Sequence, residues 1–412
     1  MPNLHLFEGF GVELEYMIVE ADTLKVLPVT DQVLKLFHGE FIDEIENGAI
    51  SWSNELALHV IELKTNGPAK SLAGLADQFA ENVRQINKML KPLGGKLMPT
   101  AMHPFMDPDS EMKIWPHERN EIYEKYNSIF NCKGHGWSNL QSIHLNLPFG
   151  NDEEFGRLHA AIRILLPILP ALAASSPIQD GIYSGLKDTR LSVYQRNQER
   201  VPEITGRVIP EAVFTQQDYE EKILKRTYDA IAPYDPEGTL QEEWLNSRGA
   251  IARFERNAIE IRVLDIQECP AADMAILALI VEVLKLMIDE AWIPFKEQQQ
   301  WHEDDLFAIL KTCIEFGDAA SIHNQAYLKI FQLEQAHAPV MEIWKTMINK
   351  AKPNLAEKDL AILALIIEQG NLSTRIYKAL GVNLERSLVL KVYGQLAKCL
   401  EDNQVFTLQS PE

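Results

Sequence analysis

Three short segments of the chain alternate chemistry-bearing side chains with apolar ones. In GVELEY, Glu13 and Glu15 stand two residues apart; in SIHLNL, Ser142, His144 and Asn146 do the same; in AIEIRVL, Glu260 and Arg262 follow suit. In an extended strand, residues i and i+2 point to one side, so each segment shows its functional groups on one face and packs the other. A lone Glu-x-Glu is what any solvated edge strand shows, and a lone His is more often a satisfied core or surface residue than a ligand. Three strands with the same habit point to a shared site. Glu55 and Glu62 are seven apart. On one unbroken strand they would face opposite ways, so a turn or bulge near residues 57–59 is needed to bring both to one place.

Adjacent carboxylates are costly unless cations hold them. Hard oxygen donors suit Mg²⁺ or Mn²⁺, and a single imidazole is better tolerated by Mn²⁺. Five glutamates (Glu13, Glu15, Glu55, Glu62, Glu260) and His144 could hold two divalent ions. Such ions commonly clamp nucleotide phosphates and neutralise charge during phosphoryl transfer. The chain has no GxxxxGK[ST] loop and no GxGxxG between a strand and a helix. P-loop and Rossmann nucleotide sites are therefore unsupported.

The elements that must position these residues are legible as patterns. Residues 10–19 alternate as a strand, and residues 51–65 hold β-type residues up to the Asn66-Gly67-Pro68 stop. Leu72, Leu75, Phe79, Val83, Ile86 and Leu90 recur at helical spacing before Gly94-Gly95. Residues 96–105 look extended, residues 141–149 alternate, and residues 155–174 are helical. Residues 250–265 read as a hairpin turning at Arg256-Asn257. Beyond Pro270 helical spacing dominates, including residues 274–292, 305–316, 326–347 and 355–369. Strands early and helices late imply an α+β fold with an antiparallel or mixed sheet. A soft boundary near Gln300 divides a catalytic region, 1–300, from a helical C-terminal region, 301–412.

Composition narrows the partners. With 39 Lys plus Arg against 59 Asp plus Glu, the net charge of −20 repels nucleic acid at long range. The four cysteines are far apart and lack CxxC spacing, which reads as reduced thiols in the cytoplasm. The start, MPNLHLFEGF, lacks a leader pattern. The most apolar stretches, residues 164–174 and 274–288, fall short of the ~20 clean residues of a membrane span, so no membrane association is expected.

With these residues in view, the sequence resembles glutamate–cysteine ligase family 2, carboxylate–amine ligases with a glutamine-synthetase-like catalytic fold. The matching pieces are GVELEY, NELALHVIELKT, MHPF, SIHLNLPF, AASSPIQDG, TRLSVY, TGRVIPE and AIEIRVLD, in the family's order over about the first 270 residues. The resemblance implies a curved antiparallel sheet of roughly six strands, with helices outside and a concave face that holds ATP and metal ions. It implies that Glu13, His144 and Glu260 bind one ion and Glu15, Glu55 and Glu62 the other, with Glu55 and Glu62 on neighbouring strands. Arg262 would stabilise the transferring phosphoryl group. Arg190 and Arg253 are candidates for phosphate or substrate carboxylate, and His103 and Asn146 for the acceptor pocket.

The implied reaction is ATP-dependent joining of a small carboxylate to a small amine through an acyl phosphate, most directly γ-glutamylcysteine synthesis. Two other readings stay open. One is an ATP phosphotransferase of the same superfamily acting on a guanidino or carboxylate group; the other is a catalytically silent scaffold. Hydroxamate formed with hydroxylamine separates the ligase from the kinase, and binding of Mg-ATP separates both from the scaffold. Self-association is left open.

Overall fold

A computed structural model describes residues 4–408; the first three residues of the MPNLHLFEGF start lie outside it. The centre is an eight-stranded sheet. Its strands are β1 (Gly11–Glu20), β2 (Glu44–Asn47), β3 (Ile50–Asn54), β4 (Val60–Thr65), β5 (Gly95–Met98), β6 (Ser142–Pro148), β7 (Ala250–Arg253) and β8 (Ala258–Asp265). The order is β2-β3-β4-β1-β6-β8-β7, with β5 paired to the far half of β1, and the named pairings are antiparallel.

The resemblance implied about six strands. The segment 51–65 breaks into β3 and β4, as the turn expected near residues 57–59 requires, and the short edge strand β2 lies where the sequence reads only as turn-rich. Four residues with a single buried apolar side chain, Ile45, carry too little period to be seen.

Alternation on β1 builds both faces. Val12, Leu14, Tyr16 and Ile18 are fully buried on the helix side. There they meet α1 (Leu75–Leu90), α2 (Asp152–Leu165) and α3 (Pro270–Ile288), with α3 central and touching the other two. Asn151 caps α2 by accepting from the Glu154 amide, and Asp152, Glu153 and Glu154 favour its positive end. Pro270 opens α3, where its missing N–H costs nothing.

On the opposite face of β1, Glu13 and Glu15 are followed by Met17 and Val19. These two are roofed by a second apolar cluster that includes Met98, Tyr126, Ile376 and Tyr393. The cluster thus covers this face of β1 beyond Glu15, while Gly11 and Glu13 line a pocket.

The apolar stretch expected to fall short of a membrane span is longer than it reads. Pro167 and Pro170 sit at the starts of short helical turns and do not end the run, so Asp152–Ala173 passes by length and composition; 94% of its most apolar 18-residue window is buried inside the fold. It is a core element. The expected helix at 326–347 divides into Gln325–Ile330 and α4 (Val340–Ala351), separated by a turn and the short strand Ala338–Pro339, which pairs back with Ser321–Ile322. Helices past residue 300, α4 and α5 (Glu357–Gln369) among them, share one core with the sheet and α3.

Candidate active site

Strand register assembles the site. Glu13 lies opposite His144 on β6 and Lys64 on β4, while Glu15 lies opposite Glu62. Glu260 on β8 lies opposite Asn146, which itself lies opposite Gly11. Ser53 on β3 faces Glu62 and donates to its Oε1 at 2.8 Å. Glu55 follows β3 in the loop that reverses the chain, so the seven-residue offset is absorbed by two neighbouring strands. Glu13, Glu55, Glu62, Lys64, His144, Asn146 and Glu260, with Arg253 and Arg262, line one basin of about 760 Å³ whose wall also includes Gly9, Gly67 and Pro148.

His144 is the hub. Its Nδ1 donates to Glu13 Oε2 at 2.9 Å and lies 3.7 Å from Glu260, and its Nε2 is 3.0 Å from Ser142 Oγ and 3.8 Å from Glu15. Ser142 passes the contact on, donating from both N and Oγ to Glu15 Oε2 at 2.7 and 2.9 Å. Asn146 donates to the other oxygen of Glu13 at 3.1 Å. Arg262 makes two bonds to Glu260 Oε1, at 3.0 and 2.6 Å, and Arg253 comes within 3.8 Å of the same carboxylate. Lys64 bridges Glu44 and Glu62 at 3.0 and 3.3 Å.

Charge crowding moves the protons. Burial works against a charged His144, but the bond to Glu13 and the charges of Glu260 and Glu15 raise its pKa to about 9. Burial likewise opposes the Glu13 anion, yet His144, Lys64 and Arg262 hold it down at about 2. Glu62 is pushed up to about 7 by burial and by Glu13, and Glu55 well above the carboxylate range by burial and by Glu62 and Glu15.

The basin therefore crowds together more carboxylates than its own cations keep ionised. Two overlapping sets have donor atoms close enough to share an ion: Glu13, His144 and Glu260, and Glu15, Glu62 and His144. Mostly carboxylate donors around one imidazole fit hard divalent cations. Glu55 lines the same basin without joining either set.

Over residues 9–378 the chain matches glutamate-cysteine ligase family 2 (GCS2). It belongs to that family. An uncharacterized protein of Archaeoglobus fulgidus is 33% identical over 399 residues, 96% of this chain and 99% of its own. A Nocardioides protein provisionally named glutamate–cysteine ligase 2-1 is 24% identical over 87% of each chain. In fold, this GCS2 member resembles the glutamate–cysteine ligase of Francisella tularensis solved with AMP. The TM-score is 0.57 at 15% identity, over 95% of this chain and 88% of that one.

Two residues suggested by the resemblance stand outside the basin of this GCS2 member. Both ring nitrogens of buried His103 are engaged, Nε2 with Leu24 O at 2.6 Å and Nδ1 with the Phe105 amide at 3.0 Å. Arg190 is buried against Asp265 and the Arg262 carbonyl. A buried polar residue in a loop or short helix looks the same in sequence whether it holds a ligand or the backbone. Lys64 is the group the sequence reading missed, although it lies two residues after Glu62 and so on the same face of the same strand.

Proposed function

We propose that this GCS2 member is an ATP-dependent carboxylate–amine ligase whose reaction runs in the acidic basin, and that its substrates are glutamate and cysteine. What carries the reading is the convergence of Glu13, Glu15, Glu62 and Glu260 on His144, with Arg262 bonded to Glu260 on the same floor. Glu13, His144 and Glu260 would hold one divalent ion, and Glu15 and Glu62, with Glu55 beside them, a second.

Ions held there would screen the approach of a carboxylate to the nucleotide phosphates. Arg262 adds a planar guanidinium that matches phosphoryl oxygens and stays charged at any physiological pH. Arg253, 7% exposed, bonded to Glu255 and within 3.8 Å of Glu260, adds a second fixed charge to the basin wall. A carboxylate becomes an acyl donor only after a phosphoryl group makes one of its oxygens a leaving group; an amine then displaces phosphate. Glu15, pinned by Ser142, and Glu62, pinned by Ser53, keep the donor geometry fixed before substrate arrives, so little reorganisation remains.

The test is a screen of amino acids for ADP release with Mg-ATP, beginning with glutamate plus cysteine and then each alone. ADP formed only when both are present, with a new amide by mass spectrometry, is the expected result. With hydroxylamine in place of the amine, hydroxamate is expected. Phosphorylated acceptor accumulating without hydroxamate would mean a phosphotransferase.

A further inference from the structure

Arg262 sits at a break in its strand. Along β8 and β6 the partners run Ile261↔Leu145 and then Leu264↔Ile143, so three steps on β8 match two on β6. One residue is extra, and Arg262-Val263 form a bulge, a device that re-aims side chains and leaves ladder groups unpaired.

The other edge of β8 shows what is left over. Pairing with β7 ends at Ile261↔Ala250, and the Arg262 amide donates to Gly249 O at 3.0 Å. In an antiparallel hydrogen-bonded pair the two residues exchange both bonds, so the Gly249 amide should return one to the Arg262 carbonyl. It goes instead to Val208 O at 2.6 Å. A Cβ at Gly249 would lie 2.9 Å from the Val208 side chain and 2.4 Å from that of Val263, so only glycine permits this approach. The Arg262 carbonyl takes its bond from a side chain, Arg190 Nη2 at 2.9 Å.

Arg190 is itself held at several points. It lies on the six-residue helix Thr189–Tyr194, whose cap Asp188 accepts from the Leu191 amide. The Arg190 amide donates to Ser176 Oγ, which donates to Asp265 Oδ2 at the end of β8. Its Nη1 is 3.6 Å from Asp265 Oδ1, and its guanidinium lies 5.8 Å from the Tyr194 ring centre. At 2% exposure it is absent from the basin lining.

We propose that Arg190 is a positioning residue that pins the β8 bulge and thereby aims Arg262 into the basin. It replaces the one ladder donor that Gly249 withholds. The proposal rests on the ligase reading for the role of Arg262 but not for the bulge itself, and two measurements separate these parts.

The first is hydrogen–deuterium exchange of peptides spanning residues 258–265 in the full chain. Arg190→Met is expected to speed exchange there and leave α1 unchanged, with Arg190→Lys, which keeps a donor, intermediate. Unchanged exchange in Arg190→Met overturns the pinning, whatever the activity. The second is a double-mutant cycle on ADP release. Arg190→Met is expected to lower kcat about a hundredfold with KM for ATP unchanged, the scale of a misplaced catalytic group. In an Arg262→Lys background the same change is expected to cost almost nothing, because the group it aims is already gone. Equal cost in both backgrounds, or a raised KM with kcat intact, would overturn the proposal and make Arg190 a substrate-binding group. If the wild-type chain releases no ADP with any amino-acid pair, the ligase reading fails and the exchange result alone decides whether Arg190 holds the bulge.

Discussion

Glu15 accepts two bonds from Ser142, and Glu260 accepts two from Arg262, so each carboxylate is fixed before any ligand arrives. Replacing either by an amide keeps its size and removes its charge. Glu15→Gln and Glu260→Gln are each expected to cut ADP release at saturating Mg²⁺ by a hundredfold or more, on the order of losing one preorganised electrostatic partner. Circular dichroism and the thermal midpoint are expected to stay near wild type. Unchanged turnover in both variants would remove the metal assignment. Arg262→Lys is expected to slow the phosphoryl step strongly, since a point charge cannot reproduce the planar fork, and a normal rate would contradict its role. At this scale much was legible, because a period of two sorts side chains by face: Glu13, His144, Asn146, Glu260 and Arg262 all line the basin, and Glu15 lies 3.8 Å from His144. His103 and Arg190 stand outside the basin lining, and burial, which decides whether a polar group meets ligand or backbone, has no local sequence signal.

At the scale of elements, long periodic segments read well and a shift of register read poorly. The helix at Leu75–Leu90 follows its apolar spacing and the break within residues 51–65 falls at the turn expected near residues 57–59, whereas the bulge at Arg262-Val263 comes from tertiary pairing and alternation continues across it. Within α2, His159 is buried with Nδ1 donating to Val213 O at 2.8 Å, and burial, with Arg163 nearby, drives its pKa down to about 3. The ordinary value of about 6.5 returns on unfolding. Between those values the unfolded chain binds the extra proton, so this group's stability is complete above about pH 6.5 and is lost as pH falls. In His159→Asn the amide nitrogen can keep the bond but does not titrate. The stability of wild type relative to His159→Asn is therefore expected to fall by about 2–3 kcal/mol from pH 7 to 4.5, read from urea midpoints. A pH-independent difference would show that His159 is not held neutral.

At the scale of the molecule, helices past residue 300 such as α4 and α5 share the main core, and a buried ion pair ties Phe406 to the segment that follows β8. Arg375 bonds Glu268, which follows β8, and also the Phe406 carbonyl, while the Phe406 amide returns a bond to Glu268 at 3.1 Å. Both charged side chains are fully buried. Arg375→Met leaves Glu268 buried and unpaired and is expected to cost about 3–5 kcal/mol by urea unfolding. Adding Glu268→Gln is expected to recover part of that loss, and no recovery would mean that packing rather than charge sets the cost. The α+β class was readable from the order of strands and helices. The sharing of one core was not, because amphipathic helices do not say which face of the sheet they will cover. All of this framework serves to hold the acidic basin, and the claim that the basin activates a carboxylate with ATP has a direct test. With the carboxylate substrate labelled in both oxygens with ¹⁸O, and with amine, Mg²⁺ and ATP present, the released inorganic phosphate is predicted to carry one ¹⁸O by mass spectrometry. Amide formation with unlabelled phosphate would contradict it.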